Sequence, residues 1–154
     1  MRANVRRLEQ RDIEGVVALQ SGCPEAAQWK ASDYERAARG EMAAWVAEDD
    51  AGIVGFLIAR RLVQETEILN LAVRVGTRRC GVGTSLLQTA VDWSKALGAE
   101  SVLLEVRSTN GAAVKFYEGC GFRLVGRRPR YYADPVDDAL LLSLSTFDSR
   151  RAAI

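Results

Sequence analysis

The chain contains no histidine, so any acid–base chemistry falls to carboxylates, tyrosine, lysine, cysteine or water. One carboxylate stands out. Glu105 interrupts VLLEV, an otherwise apolar run, and a charge inside a buried strand is costly unless it is paired or used. Two readings stay open for it: an ion-pair partner for Arg107 or another arginine, or a proton acceptor. Tyr117, in KFYEGCGF, is a phenol on a short apolar helix. It serves as core packing or as a proton donor. A third feature is RRCGVGT, in which Gly81 and Gly83 sit at the start of a helical pattern behind Arg78 and Arg79. Glycine costs a helix interior roughly 1 kcal/mol relative to alanine. Two of them at that point mark either a tight turn or a place where the backbone approaches a ligand.

The turn suits an anion. The opening N–H groups of a helix lack internal acceptors and carry partial positive charge, so a phosphate placed there accepts several hydrogen bonds at once. Two sharper motifs fail in detail. A P-loop needs lysine after its last glycine, and here Thr84 follows Gly83; a dinucleotide fingerprint needs a third glycine where Leu86 stands.

Elements that position these residues follow from periodicity. A first strand is expected over Asn4 to Leu8. A helix follows, with Ile13, Val16, Val17 and Gln20 at helical spacing and Asp12 as its cap. A second short helix is expected in SDYERAARGE, capped by Ser32 and stopped at Gly40. MAAWVAED and GIVGFLIARRLVQ read as two strands joined through the turn DDAG, and Thr66 to Val73 as another. From Val82 the apolar positions Leu86, Ala90, Trp93 and Leu97 form one helical stripe ending at Gly98. SVLLEV reads as a strand, and NGAAVKFYEG as a helix capped by Asn110. FRLVGR and DALLLSLS read as closing strands. The order β-α-α-β-β-β-α-β-α-β-β predicts an α/β (α+β) fold. Its mixed, mostly antiparallel sheet of about seven strands contains one parallel pair, a place where strands splay and ligands bind.

Size and composition narrow the classes. The chain has 154 residues, 48% hydrophobic and 27% charged, as expected of one globular domain spanning residues 1–154. Formal net charge is +1, from 21 Lys+Arg against 20 Asp+Glu, which argues against a general nucleic-acid binder. The three cysteines, Cys23, Cys80 and Cys120, are far apart and odd in number. They suggest neither a metal site nor a disulfide framework, and they point to a reducing, cytoplasmic setting. No signal peptide and no run of about 18 apolar residues is expected, so no membrane partner is either.

At this point the sequence resembles the GNAT acetyltransferase superfamily, and within it the ribosomal-protein-alanine (RimI-type) enzymes. ILNLAV, RRCGVGTSLL, LLEVRSTNGAAVKFYEGCGF and RRPRYYADPVDDALLLSL carry the resemblance in order and spacing; the first 60 or so residues share only general layout. The resemblance implies a GNAT fold of about seven strands and four helices, with the splayed parallel pair holding the cofactor. It implies acetyl transfer from acetyl-CoA to an amine, here the N-terminal α-amino group of a protein, with the alanine of a ribosomal protein as candidate.

The resemblance also assigns roles. Leu71, Ala72 and Val73 pair with the pantetheine arm as an added strand would. Arg78, Arg79, Cys80, Gly81, Val82, Gly83 and Thr84 hold the diphosphate, and Asn110 reaches the cofactor near its thiol. Glu105 is the proton acceptor and Tyr117 the proton donor. Tyr131 and Tyr132 lie in a loop near the peptide. Glu65 and Glu67 flank the start of the cofactor strand; they bind the substrate ammonium or relay its proton, or one or both are solvated strand-edge charges. Trp29 lines the opposite wall, and Asp137 to Leu140 is structural. Arg74 and Val75 replace the usual acidic residue and proline, and Gly111 replaces a common alanine. Other functions compatible with the same fold are acetylation of a small amine or a lysine, and a non-catalytic CoA sensor. No metal and no nucleic acid is expected, and the oligomeric state is not legible.

Overall fold

A computed structural model describes residues 3–78 and 80–147. Its elements are β1 (Asn4–Arg7), α1 (Ile13–Ser21), α2 (Ala31–Ala38), β2 (Ala43–Asp49), β3 (Gly52–Arg61), β4 (Glu65–Val73), α3 (Val82–Ala96), β5 (Ser101–Arg107), α4 (Gly111–Gly119), β6 (Arg123–Ala133) and β7 (Val136–Ser145). The strands form one seven-stranded sheet in the order β1-β2-β3-β4-β5-β7-β6. The β1/β2, β2/β3, β5/β7 and β6/β7 ladders are antiparallel, and β4/β5 is parallel. This is the mixed α/β architecture expected from the order of apolar patterns. The parallel ladder runs over Glu65↔Ser101, Thr66↔Val102 and Glu67↔Leu103, so most of each strand runs past it.

The described residues divide into two compact units, one drawn from 3–61 and 68–93, the other from 62–67 and 94–147. In the first, β2 is buried at five consecutive positions, Ala43 to Ala47. A continuous buried run means both faces are covered. On one face Val46, Phe56 and Ile58 pack with Val16 of α1 and Tyr34 of α2, all at 0% exposure. Trp45 meets Trp93 of α3 edge to face at 5.5 Å, and Leu86 and Ala90 of the same helix are fully buried. Each such side chain contributes roughly 1.5–3 kcal/mol on burial. The apolar stripe thus holds α3 in place, except that Leu97 lies beyond its last turn and is exposed.

Two expected caps are not observed. The Asp12 side chain does not cap α1. Its Oδ2 accepts the Glu9 N–H at 2.8 Å, and both oxygens accept from the Arg6 guanidinium at 2.8 and 2.9 Å. Arg6 also donates to Glu48 at 2.8 Å, so a long-range ion-pair cluster takes the carboxylate. Ser32 lies inside α2, which begins at Ala31; Asp33 Oδ2 accepts the Lys30 N–H at 2.9 Å and closes that terminus instead.

In the second unit β5 alternates, with Val102, Leu104 and Val106 buried and Ser101, Leu103, Glu105 and Arg107 half-buried. Phe122, Ala139 and Leu142 join the buried face. β6 is the edge strand and nearly all exposed. It runs on through Arg127–Ala133, where the aromatic loop was expected. Pro129 fits there because it lies within the register shift between Arg128 and Tyr132 of an edge strand, where no neighbour needs its missing N–H.

Candidate active site

The glycine turn lies between β4 and α3, after a short 3-10 turn over Val75–Thr77. Gly81 has φ +83, in the left-handed region that glycine enters without a Cβ penalty. A Cβ there would meet nothing within 4 Å, so backbone conformation rather than crowding selects glycine. The Ser85 N–H donates to the Gly81 carbonyl at 2.9 Å. The amides of Val82, Gly83 and Thr84 therefore precede that first helical bond, and the helix opens on donors that suit an anion. This donor set fits a diphosphate. Cys80 is exposed, and Arg79 lies outside the described residues.

Arg78 is engaged by the protein itself. It forms an ion pair with Glu25, donates from Nε to the Val73 carbonyl at 3.1 Å, and approaches Cys23 Sγ at 3.7 Å. The Val73 carbonyl also accepts from the buried Cys23 thiol at 3.6 Å. Of the three residues expected to pair with an added strand, Val73 thus has its carbonyl occupied. Leu71 is half-buried and Ala72 buried.

In the second unit Glu105 stands on the half-buried face of β5, opposite Leu141 of β7. Its side chain is 26% exposed and pairs with Arg128, Nε to Oε1 at 3.4 Å. Arg107, the nearer arginine in sequence, goes elsewhere. It donates to the Pro135 carbonyl at 2.9 Å and the Asp134 carbonyl at 3.3 Å, and lies 4.2 Å over the Tyr132 ring. Tyr131 faces Glu105, whose charge and hydrogen bonding hold the phenol above its ordinary value. Burial, and then the same carboxylate, raises Tyr132 as well. The two rings touch edge to face at 5.1 Å. Glu105, Arg128, Tyr131 and Tyr132 therefore form one cluster.

Tyr117 is buried in α4 between Phe116 at 5.2 Å and Phe122 at 5.7 Å. Burial pushes its phenol well above the ordinary range, so it stays protonated at neutral pH. Asn110 caps α4, its Oδ1 accepting the Ala113 N–H at 3.2 Å. Asp137 accepts from the Ser108 and Thr109 hydroxyls at 2.6 Å each, tying the start of β7 to the turn after β5. Glu65 Oε2 accepts from the Ser101 hydroxyl at 3.2 Å, a contact along the parallel ladder rather than with the Glu105 cluster.

One cluster had no sequence signal. Gln20 exchanges two hydrogen bonds with the Trp29 backbone, at 2.9 and 3.0 Å, and accepts from the Tyr34 hydroxyl. The Asn70 amide donates to that hydroxyl at 3.2 Å and to the Ala27 carbonyl at 3.0 Å. Trp29, expected to line the substrate wall, is held by these bonds and stacks on Tyr34 at 5.4 Å.

Comparison with known proteins follows the same lines. Residues 7–122 match the Acetyltransferase (GNAT) family. An N-alpha-acetyltransferase of Sulfurisphaera tokodaii is 36% identical over 114 residues, 66% of this chain and 68% of the relative. The [Ribosomal protein bS18]-alanine N-acetyltransferase of Escherichia coli K12 is 33% identical over 94 residues, 60% of this chain and 64% of the relative. The match thus spans about two thirds of each relative's length. A crystal structure of the ribosomal-protein-S18-alanine N-acetyltransferase from E. coli superposes with a TM-score of 0.82 at 24% identity, covering 95% of both chains. Arabidopsis thaliana NAA60 in complex with acetyl-CoA gives 0.82 at 19% identity, covering 93% of this chain and 98% of that one. At these identities the two structures speak for the fold. Among the described residues no helix is long and apolar enough to cross a membrane.

Proposed function

Because the chain belongs to the acetyltransferase (GNAT) family, we propose that it transfers the acetyl group of acetyl-CoA to the N-terminal α-amino group of a protein, with alanine of a ribosomal protein as the candidate acceptor. The observation that carries this reading is the opening of α3, where Gly81 at φ +83 leads into helix-start amides suited to a diphosphate. The names of the two relatives, both enzymes of α-amino or N-terminal alanine acetylation, support the choice of acceptor. A protein acceptor and acetyl-CoA as substrates support the cytoplasmic setting expected from the sequence.

When bound, acetyl-CoA supplies the acetyl group as a thioester and a diphosphate by which to hold it. The amides of Val82, Gly83 and Thr84 hold that diphosphate, with the backbone of Leu71 to Val73 alongside the pantetheine arm. Arg78 reaches the anion only by exchanging its Glu25 partner. An α-amino group has a reference pKa near 7.7–8.0 against about 10.4 for lysine, so an N-terminus is the easier amine to deprotonate at neutral pH. Glu105 accepts that proton at its carboxylate while the new C–N bond forms and the C–S bond breaks. Tyr117, kept protonated by burial, donates its phenolic proton to the leaving sulfur. The Tyr131–Tyr132 pair meets the first residues of the peptide, and Asn110 keeps its amide N–H₂ for the cofactor while its Oδ1 caps α4.

Steady-state assays with an N-terminal Ala peptide, an N-terminally blocked lysine peptide and a polyamine test this directly. The proposal expects turnover of the Ala peptide far above the other two. Turnover confined to lysine or polyamine would replace it with the small-amine or lysine reading.

A further inference from the structure

We propose that Asp138 is a positioning residue for Glu105, acting through a bulge in β6 that its carboxylate holds in shape. The inference rests on the reading of Glu105 as the proton acceptor. Its observations lie in the β6/β7 hairpin. Register runs Arg128↔Ala139 and then Tyr132↔Asp137: four steps along β6 (132 − 128) against two along β7 (139 − 137). An antiparallel ladder advances equally on both strands, so β6 carries two extra residues here. Within the excess, Arg130 has φ +51. A side chain other than glycine adopts that left-handed backbone only when the surroundings hold it there.

Asp138 sits opposite the excess and does the holding. Its Oδ1 accepts the Arg130 N–H at 2.9 Å, the amide of the left-handed residue itself. Its Oδ2 accepts from Arg127 Nε at 2.7 Å, just before the bulge. The Arg130 bond, then the Arg127 bond, holds the carboxyl below its usual range, so it stays an ionised acceptor at neutral pH.

What the bulge presents is the Glu105 cluster. Arg128, at its first edge, reaches Glu105 Oε1 at 3.4 Å and lies 5.7 Å over the Tyr131 ring. Tyr131, at its far edge, faces the same carboxylate. Alternate residues of a strand point to opposite faces, so relaxing the bulge by one residue turns side chains from one face to the other. Arg128 and Tyr131 cannot both face Glu105 in a regular β6. Asp138 therefore acts on a carboxylate it does not touch, by fixing which β6 side chains flank it.

The test uses the full-length enzyme with an N-terminal Ala peptide and acetyl-CoA. Asp138→Ala is expected to raise the peptide KM by about tenfold or more, with the acetyl-CoA KM changed by less than about twofold. The double variant Asp138→Ala, Arg130→Gly is expected to recover most of the loss, because glycine enters the left-handed region unaided. Asp138→Asn keeps one acceptor for the Arg130 N–H and is expected within about threefold of wild type. Calorimetric titration of the peptide into the CoA-bound protein should follow the same order, independently of turnover. Unchanged peptide KM in Asp138→Ala, or a loss that Arg130→Gly does not restore, overturns the inference. If Asp138→Ala does not fold, Asp138→Asn decides, and a tenfold loss there overturns it. Turnover retained in Glu105→Gln refutes the reading of Glu105. Glu105→Gln inactive with Asp138→Ala unaffected refutes Asp138 alone.

Discussion

Replacing Gly55 by alanine tests how tightly the sheet holds the start of α3. Gly55 lies in β3, and a Cβ on it would come within 3.0 Å of Leu86 Cδ1, 3.0 Å of Val82 Cγ1 and 3.2 Å of the Ala72 carbonyl oxygen. Carbon atoms pack best at about 3.5–4.0 Å, so two methyl contacts are short by about half an ångström to one ångström. Val82 is 6% and Leu86 0% exposed, so neither methyl can swing into solvent, and the third neighbour is backbone. Overpacking of this kind costs about 1–3 kcal/mol, while removing a glycine from the unfolded chain returns about 0.4–1 kcal/mol. With an overpacking cost of about 2 kcal/mol, the middle of that range, the net is about 1–1.6 kcal/mol of destabilisation. At roughly 2–4 °C per kcal/mol for a chain of this size, Tm should fall by about 2–6 °C. Val82 opens α3, so relief of the clash moves the helix start. CoA affinity should drop with it, by about tenfold if the amides shift by a few tenths of an ångström. Thermal melts followed by circular dichroism, with and without CoA, read both effects. Trimming the partner methyl in Gly55→Ala, Val82→Ala should cost less than the sum of the single changes. A Tm at or above wild type for Gly55→Ala would refute the close-packing argument.

Two further predictions concern the second unit. Asp137 is held down to about 2 by the Ser108 and Thr109 hydroxyls, below the ordinary value near 3.9. A depressed folded-state value adds stability above about pH 4 that is lost as pH falls toward 2. The Tm gap between wild type and Asp137→Asn should thus be largest near neutrality and close between about pH 4 and pH 2; a constant gap would contradict the assignment. Glu105→Gln and Tyr117→Phe should each lower kcat by about 10²–10⁴-fold with CoA affinity changed less than about twofold, and full turnover in either removes that residue from the chemistry.

Much of the architecture was legible in order and period. The stripe of Val82, Leu86 and Ala90 and the continuous apolar run of β2 each had one structural solution. Asn110 was legible as the cap of α4, but the caps of α1 and α2 were not, because a cap depends on which carboxylate wins one backbone N–H. Asp12 is taken by Arg6 of β1, which Glu48 of β2 engages as well, and Asp33 closes α2 where Ser32 was expected. At the site, Glu105 and its tyrosines were identifiable as residue types in place. Their grouping depends on a β6 bulge and on Arg128, which sequence spacing does not reveal. The resemblance put an aromatic loop at Tyr131 and Tyr132, whereas these residues lie in the edge strand β6. Arg78 stood out as a charge beside the turn, but its pairing with Glu25 joins two segments far apart in the chain.

The most direct measurement is isothermal titration of CoA into the purified protein and into Gly81→Val. The account predicts saturable binding by the wild type and a loss of about tenfold or more in the variant, because valine cannot hold the left-handed backbone that opens α3. No binding by the wild type, or equal binding by the variant, would contradict it.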